Sequence, residues 1–174
     1  LREMEFNRLL SQAINMYGET GKTNTTKNVI KNKLSVVNRK DYESITNEKD
    51  LDKWIEILDK QSVISVDTET SSLNPLEADL VGVSFSYANN KACYIPIDHK
   101  NIKSIKKNIV LKKIKKILED SSIKKVGQNI KFDFTVLKEN GIDVYPIEDT
   151  MLISYTLDAG TNRHNLDTLS EIHL

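Results

Sequence analysis

Apolar positions along this chain switch between two periods, and the switches outline a folded unit. The run Val63-Ile64-Ser65-Val66 is rich in β-branched residues and too short for a helix, so it predicts a buried strand ending in Asp67-Thr68-Glu69-Thr70. Residues 80–87 alternate, with Val81, Val83, Phe85 and Tyr87 on one face and Gly82, Ser84 and Ser86 on the other. Residues 88–91 read as a turn and 92–97 as a returning strand, which makes an antiparallel meander of three strands. Around it the spacing turns helical. Leu51, Trp54, Ile55 and Leu58 share one side of a helix over 50–60, and Ile102, Ile105, Ile109, Ile114, Ile117 and Leu118 recur at helical spacing over 102–118. A short strand over 123–127 leads to a helix over 130–140, with Asn129 as its N-cap and Asn140-Gly141 as its stop. A further strand over 144–147 follows, then a helix capped by Asp149 and carrying Met151, Leu152, Tyr155 and Leu157, and a last helix opening at Asn165.

The N-terminal part reads differently. Met4, Phe6, Leu9, Leu10 and Ala13 predict a helix over 1–16 that belongs to a preceding region, while 17–33 has little to bury and predicts a linker. Residues 34–37 predict an edge strand. The expected organisation is an N-terminal helix and linker over 1–33 and a domain over 34–174. The expected fold class is α/β, with helices packed on a mixed sheet that contains the antiparallel three-stranded meander.

The end of the first meander strand carries the chemistry. A strand alternates faces, so Asp67 and Glu69 project to one side about 6.5–7 Å apart. Two anions fixed on one face repel and lose hydration unless a cation lies between them. Oxygen ligands on a rigid strand suit Mg2+ or Mn2+, and carboxylates bridging two such ions serve phosphodiester hydrolysis. The plainer reading is a solvated turn in which Thr68 and Thr70 bond locally to backbone. Asp133 is the third acid: in a helix beginning near Ile130 it lies at the margin of the inward stripe Ile130, Phe134 and Leu137. It reads either as a partner of the positive helix N-terminus or as an inward functional carboxylate.

Composition narrows the classes. The 174 residues are enough for a core without staples, and the formal net charge is zero, so no global field attracts a polyanion. The lysines at 103, 106, 107, 112, 113, 115 and 116 read as a solvated helix face, without the interleaved aromatics of a base-stacking surface. The single cysteine, Cys93, reads as core filler in a reduced, cytoplasmic protein. No apolar run reaches the length of a membrane span, and no GxxxxGK[ST] loop is present.

Five blocks in order carry a family resemblance: Val66-Asp67-Thr68-Glu69-Thr70, Leu80-Val81-Gly82-Val83-Ser84-Phe85, Val126-Gly127-Gln128-Asn129-Ile130-Lys131-Phe132-Asp133, Asp149-Thr150-Met151-Leu152, and Arg163-His164-Asn165-Leu166-Asp167-Thr168-Leu169. Together they resemble the 3′–5′ proofreading exonuclease domains of bacterial family A DNA polymerases, members of the DEDD exonuclease superfamily. The resemblance implies a ribonuclease-H-like fold and removal of nucleotides from a single-stranded 3′ end of DNA as 5′-monophosphates, in replication and repair. It implies that Asp67, Glu69 and Asp133 are catalytic and hold two Mg2+ ions, with Mn2+ as a substitute. Thr68, Leu73, Gln128, Asn129 and Arg163 would contact substrate, Leu73 against the terminal base. The implied partners are DNA and a polymerase domain of the same parent chain, in a monomeric bacterial cytoplasmic protein.

One departure stands out. The family's final Tyr-x-x-x-Asp block lies beyond residue 174, and Tyr155 and Asp158 are spaced three apart and precede the Arg-His block. The expectation is a weak or inactive nuclease in this excerpt. A ribonuclease D-like RNA exonuclease and a non-catalytic scaffold domain of a polymerase are the alternatives, the first disfavoured by Thr70 where that group usually carries an aromatic and the second by retention of all three acids.

Overall fold

The computed structural model describes residues 4, 6–18, 41–99 and 101–174. The chain divides into two compact units, Val36–Ile153 and a second made of Leu1–Ser35 with Ser154–Leu174. The expected edge strand over 34–37 and most of the expected linker lie outside the described residues.

The larger unit is built on one six-stranded sheet. Its strands are β1 (Tyr42–Ser44), β2 (Val63–Thr70), β3 (Leu80–Ala88), β4 (Lys91–Pro96), β5 (Lys124–Gly127) and β6 (Ile147–Asp149), in the order β1-β4-β3-β2-β5-β6. β2, β3 and β4 form the expected antiparallel meander, with Val66 opposite Phe85 and Phe85 opposite Cys93. β5 joins β2 in parallel, β6 joins β5 in parallel, and β1 joins β4 in parallel, so the sheet is mixed.

Period-two alternation decides which face is dry. Along β2, Ile64, Val66 and Thr68 are buried while Ser65, Asp67 and Glu69 are exposed. Register places Val83, Phe85, Cys93 and Ile95 on the same side as Val66, and these side chains form one core with those of three helices. Helix α2 (Glu48–Leu58) contributes Leu51, Trp54 and Leu58; α3 (Lys107–Leu118) contributes Val110, Ile114, Ile117 and Leu118; α4 (Lys131–Glu139) contributes Val136 and Leu137. Asn47 caps α2 by accepting the Asp50 N–H at 3.0 Å. The Trp54 indole N–H donates to Glu43 at 3.1 Å, and its ring meets Tyr87 edge-on. Burial pushes the Cys93 thiol up to about 12, which suits an inert core filler.

Three local expectations are corrected. The lysine-rich helix starts at Lys107 rather than 102, because Ile105 is drawn into a bridge with Ile97 and Lys106 after it is extended. Three of its lysines are occupied by acids: Lys113 by Asp52 and Glu48, Lys116 by Asp59, and Lys115 by Glu119. The strand expected over 144–147 begins at Ile147 and ends at Asp149. Asn129 is not an N-cap; it sits at φ +56° in the turn before α4, whose cap position falls to Ile130 with no side-chain bond. The α4 stop is as the sequence predicts: Gly141 takes φ +77°, and the Ile142 N–H returns to the Leu137 carbonyl at 3.0 Å.

Lys125 is the surprise of the core. Alternation puts it on the dry face of β5 opposite Ile64, and it is fully buried. Its ammonium donates to the carbonyls of Asp120, Ile123 and Tyr145 at 2.6, 2.7 and 2.6 Å, which uses all three of its donors. Burial lowers its pKa to about 8, against the pull of Asp120.

In the smaller unit, α1 (Asn7–Tyr17) buries none of its side chains. α5 (Thr150–Leu157) crosses from one unit into the other, and α6 (Leu166–His173) is capped by Asn165. Between them the buried His164 meets Ser154 Oγ at 2.7 Å and stacks on Tyr155, with ring centroids 3.8 Å apart. Among the described residues no helix is long and apolar enough to cross a membrane.

Candidate nuclease site

Asp67 and Glu69 share the open face of β2, as alternation requires. Asp133 reaches the same strand from α4. It is only 3% exposed, and one carboxylate oxygen accepts both the Thr68 N–H at 2.8 Å and the Thr68 hydroxyl at 2.6 Å. The third acid is thus tied to the residue between the other two. Among the described residues no group of three acidic, histidine or cysteine side chains is arranged to hold a metal ion.

The electrostatics record what the geometry concentrates. Desolvation, then the charges of Asp133 and Glu69, push the Asp67 carboxyl up to about 6. Asp67 is an outward-facing side chain, so this rise comes with partial access to water. Asp133 is also raised, mainly by burial and further by Asp149; the two Thr68 bonds pull the other way. Burial and then the charge of Glu69 raise the Tyr94 hydroxyl, whose ring lies so close over Gly82 that a Cβ there would fall 2.2 Å from its oxygen. All-oxygen donors in mutual repulsion fit a divalent cation of the hard type.

Beside the acids lies a cleft of about 330 Å³ lined by Thr68, Glu69, Thr70, Ser71, Ser72, Leu73 and Phe132. Leu73 is 94% exposed and takes no part in the core. Gln128 and Asn129 form the turn between β5 and α4, Gln128 half-buried and Asn129 exposed. Arg163 is exposed in the smaller unit. Tyr155 is stacked on His164.

Sequence reasoning missed the second use of Thr68 and Asp149. Thr68, assigned to substrate, holds Asp133. Asp149, read as the α5 cap, does accept the Met151 and Leu152 N–H groups at 2.9 and 3.4 Å, and it also accepts the Asn129 N–H at 3.0 Å. Phe132, next to Asp133 in the first turn of α4, also lines the cleft and carries no signal in the sequence beyond that adjacency.

A family model described as 3′–5′ exonuclease, for DNA polymerases of family A, matches residues 42–174. The chain belongs to this exonuclease family. The exonuclease domain is 42% identical over 134 residues to DNA polymerase I of Borreliella burgdorferi, covering 76% of this chain and 14% of that protein. It is 39% identical over 150 residues to DNA polymerase I of Rhizobium leguminosarum, covering 75% and 15%. It therefore spans about a seventh of the length of these relatives. Among solved structures, Brucella melitensis NrnC bound to pGG superposes with a TM-score of 0.57 at 28% identity, over 76% of this chain and 59% of that one. NrnC with bound Mg2+ superposes at 0.55 and 27% identity, over 74% and 57%. Escherichia coli RNase D matches at 0.54 over 70% of this chain and 30% of that one; its 21% identity speaks for the shared ribonuclease-H-like fold alone. Sequence likeness to DNA polymerase I thus outweighs the ribonuclease D alternative.

Proposed function

We propose that this domain is the proofreading region of a bacterial cytoplasmic DNA polymerase I and removes nucleotides from single-stranded 3′ ends of DNA as 5′-monophosphates. The observation that carries the reading is Asp133 tied to Thr68, between Asp67 and Glu69, in a chain of this family. Asp67, Glu69 and Asp133 would hold two divalent cations, Mg2+ or in its place Mn2+. Such ions supply charge neutralisation at the scissile phosphate and activation of the attacking water.

The chain's own residues do the rest. Thr68 fixes one Asp133 oxygen and leaves the other to turn toward the open face. The Leu73 side chain, free of the core, stands against the terminal base at the lip of the cleft, while Gln128, Asn129 and Arg163 take phosphates and sugars. We assign the catalytic domain to residues 34–174 and residues 1–33 to a preceding region, in a monomeric parent chain that also carries the polymerase domain.

The test uses the full-length gene product with a 3′-labelled single-stranded DNA oligonucleotide and an RNA of the same sequence. Mg2+-dependent release of 5′-mononucleotides from DNA, lost in Asp67→Ala and Asp133→Ala, is expected. Equal digestion by either variant, or faster digestion of the RNA, would overturn the assignment.

A further inference from the structure

The turn that presents Gln128 and Asn129 is not self-supporting. Asn129 adopts φ +56°, a left-handed conformation that costs a non-glycine residue about 1–2 kcal/mol. Gly127, just before it, is packed against Ile130 so closely that a Cβ would lie 2.9 Å from that side chain. What holds the turn comes from the next strand. In the parallel pairing of β5 with β6, Gly127 stands opposite Asp149, so the residues that end the two strands are neighbours.

Two side chains cross that gap. One Asp149 oxygen accepts the Asn129 N–H at 3.0 Å and, at the same time, the Met151 and Leu152 N–H groups at 2.9 and 3.4 Å. The carboxylate is 93% buried at the end of β6 and bonded to the first turn of α5, so the Asn129 backbone is bonded to a fixed point. Next to it, the Thr150 hydroxyl meets the Gly127 carbonyl at 3.1 Å and Gln128 Oε1 at 2.5 Å. A hydroxyl has one proton to give, and the shorter contact marks the Gln128 carboxamide as its main acceptor. Engaging Oε1 fixes which way the carboxamide faces.

We infer that Asp149 and Thr150 are positioning residues for substrate: one carboxylate oxygen and one hydroxyl hold the Gln128–Asn129 turn in the shape that meets the 3′-terminal nucleotide. Asp149 acts as an acceptor of N–H bonds, one of its oxygens serving three backbone donors. The inference rests on the reading above that Gln128 and Asn129 contact substrate.

An asparagine at 149 keeps an acceptor oxygen but loses the charge, which separates the two roles. Steady-state kinetics on single-stranded DNA with the full-length gene product are the assay, with thermal unfolding measured in parallel. Asp149→Ala and Thr150→Val are each expected to raise KM about tenfold with kcat within about threefold, in line with the loss of a supporting residue. Asp149→Asn and Thr150→Ser should restore KM to within about threefold. Because Thr150 is half-buried, Thr150→Val keeps the fold even where Asp149→Ala does not. A rise of KM in Asp149→Asn equal to that in Asp149→Ala would make the charge essential and overturn the inference. A Gln128→Ala/Asn129→Ala variant separates the two readings. If it leaves KM unchanged, the substrate-contact reading falls and the inference with it. If it raises KM while Asp149→Ala and Thr150→Val do not, only the positioning role is wrong.

Discussion

Replacing Asp67 by Asn alters the electrostatics of the site with little change of shape. In the folded chain the Asp67 carboxyl rises from 3.8 to about 6, first through desolvation and then through Asp133 and Glu69. A carboxyl with a raised folded pKa binds more proton in the native than in the unfolded state between those two values. Stability therefore falls as pH rises from about 4 to about 6 and stays at the lower level above that. The undiluted difference is about 3 kcal/mol at roughly 1.4 kcal/mol per tenfold change in proton affinity. Asp67 faces outward, so solvent screening cuts this to about 1 kcal/mol. Asp67→Asn removes the repulsion and should stabilise the metal-free protein by that amount at pH 8 and by nothing at pH 4. Hydrogen-exchange protection of peptides spanning β2 and α4, in the full-length gene product with EDTA, reads it as about fivefold slower exchange than wild type at pH 8. Added Mg2+ should reverse the order, protecting wild type and leaving the variant unchanged. Equal protection at pH 8, or the same gain at both pH values, would refute the account of a desolvated charge repelled by Asp133 and Glu69.

Three other changes probe what surrounds the acids. Thr68→Val deletes the 2.6 Å hydroxyl bond to Asp133 at constant volume and should lower kcat for nucleotide release about 10–100-fold, while Thr68→Ser stays near wild type. Lys125→Met strips the ammonium from the carbonyls of Ile123 and Tyr145 and leaves that of Asp120 only its 3.3 Å bond from the Ile123 N–H, and should cost about 3 kcal/mol, seen as faster exchange across the segment between α3 and β5; a loss under about 1 kcal/mol would show that water replaces the ammonium. Gly82→Ala forces the Tyr94 ring, 2.2–2.5 Å from the new Cβ, off the sheet at about 1–3 kcal/mol, and adding Tyr94→Ala should recover most of it in a double-mutant cycle.

Much of this architecture is legible in the residues because its period is local. The stripe of Leu51, Trp54 and Leu58 and the alternation that turns Asp67 and Glu69 outward follow from 3.6- and 2-residue repeats alone. The Asn140-Gly141 stop is readable for the same reason, since a left-handed cap needs only a glycine in place. Other features were hidden because neighbours in space decided them. Residues 102–106 have a helical pattern, yet Ile105 is taken by Ile97. Asn129 looks like a cap by type, but its N–H is claimed by an acid twenty residues away, which sets its φ. Lys125 occupies a position that alternation reserves for an apolar side chain, and only the convergence of three carbonyls makes a lysine acceptable there.

The sequence by itself determined the meander strands and most of the helices, the dry face of the sheet, and which two acids share a strand, since each depends on spacing within a few residues. Only the tertiary structure decided that Asp133 lies against Thr68 across 65 residues and that Asp149 braces the turn before α4. Such contacts depend on strand order and register, which long loops leave open and which the packing of the whole core selects.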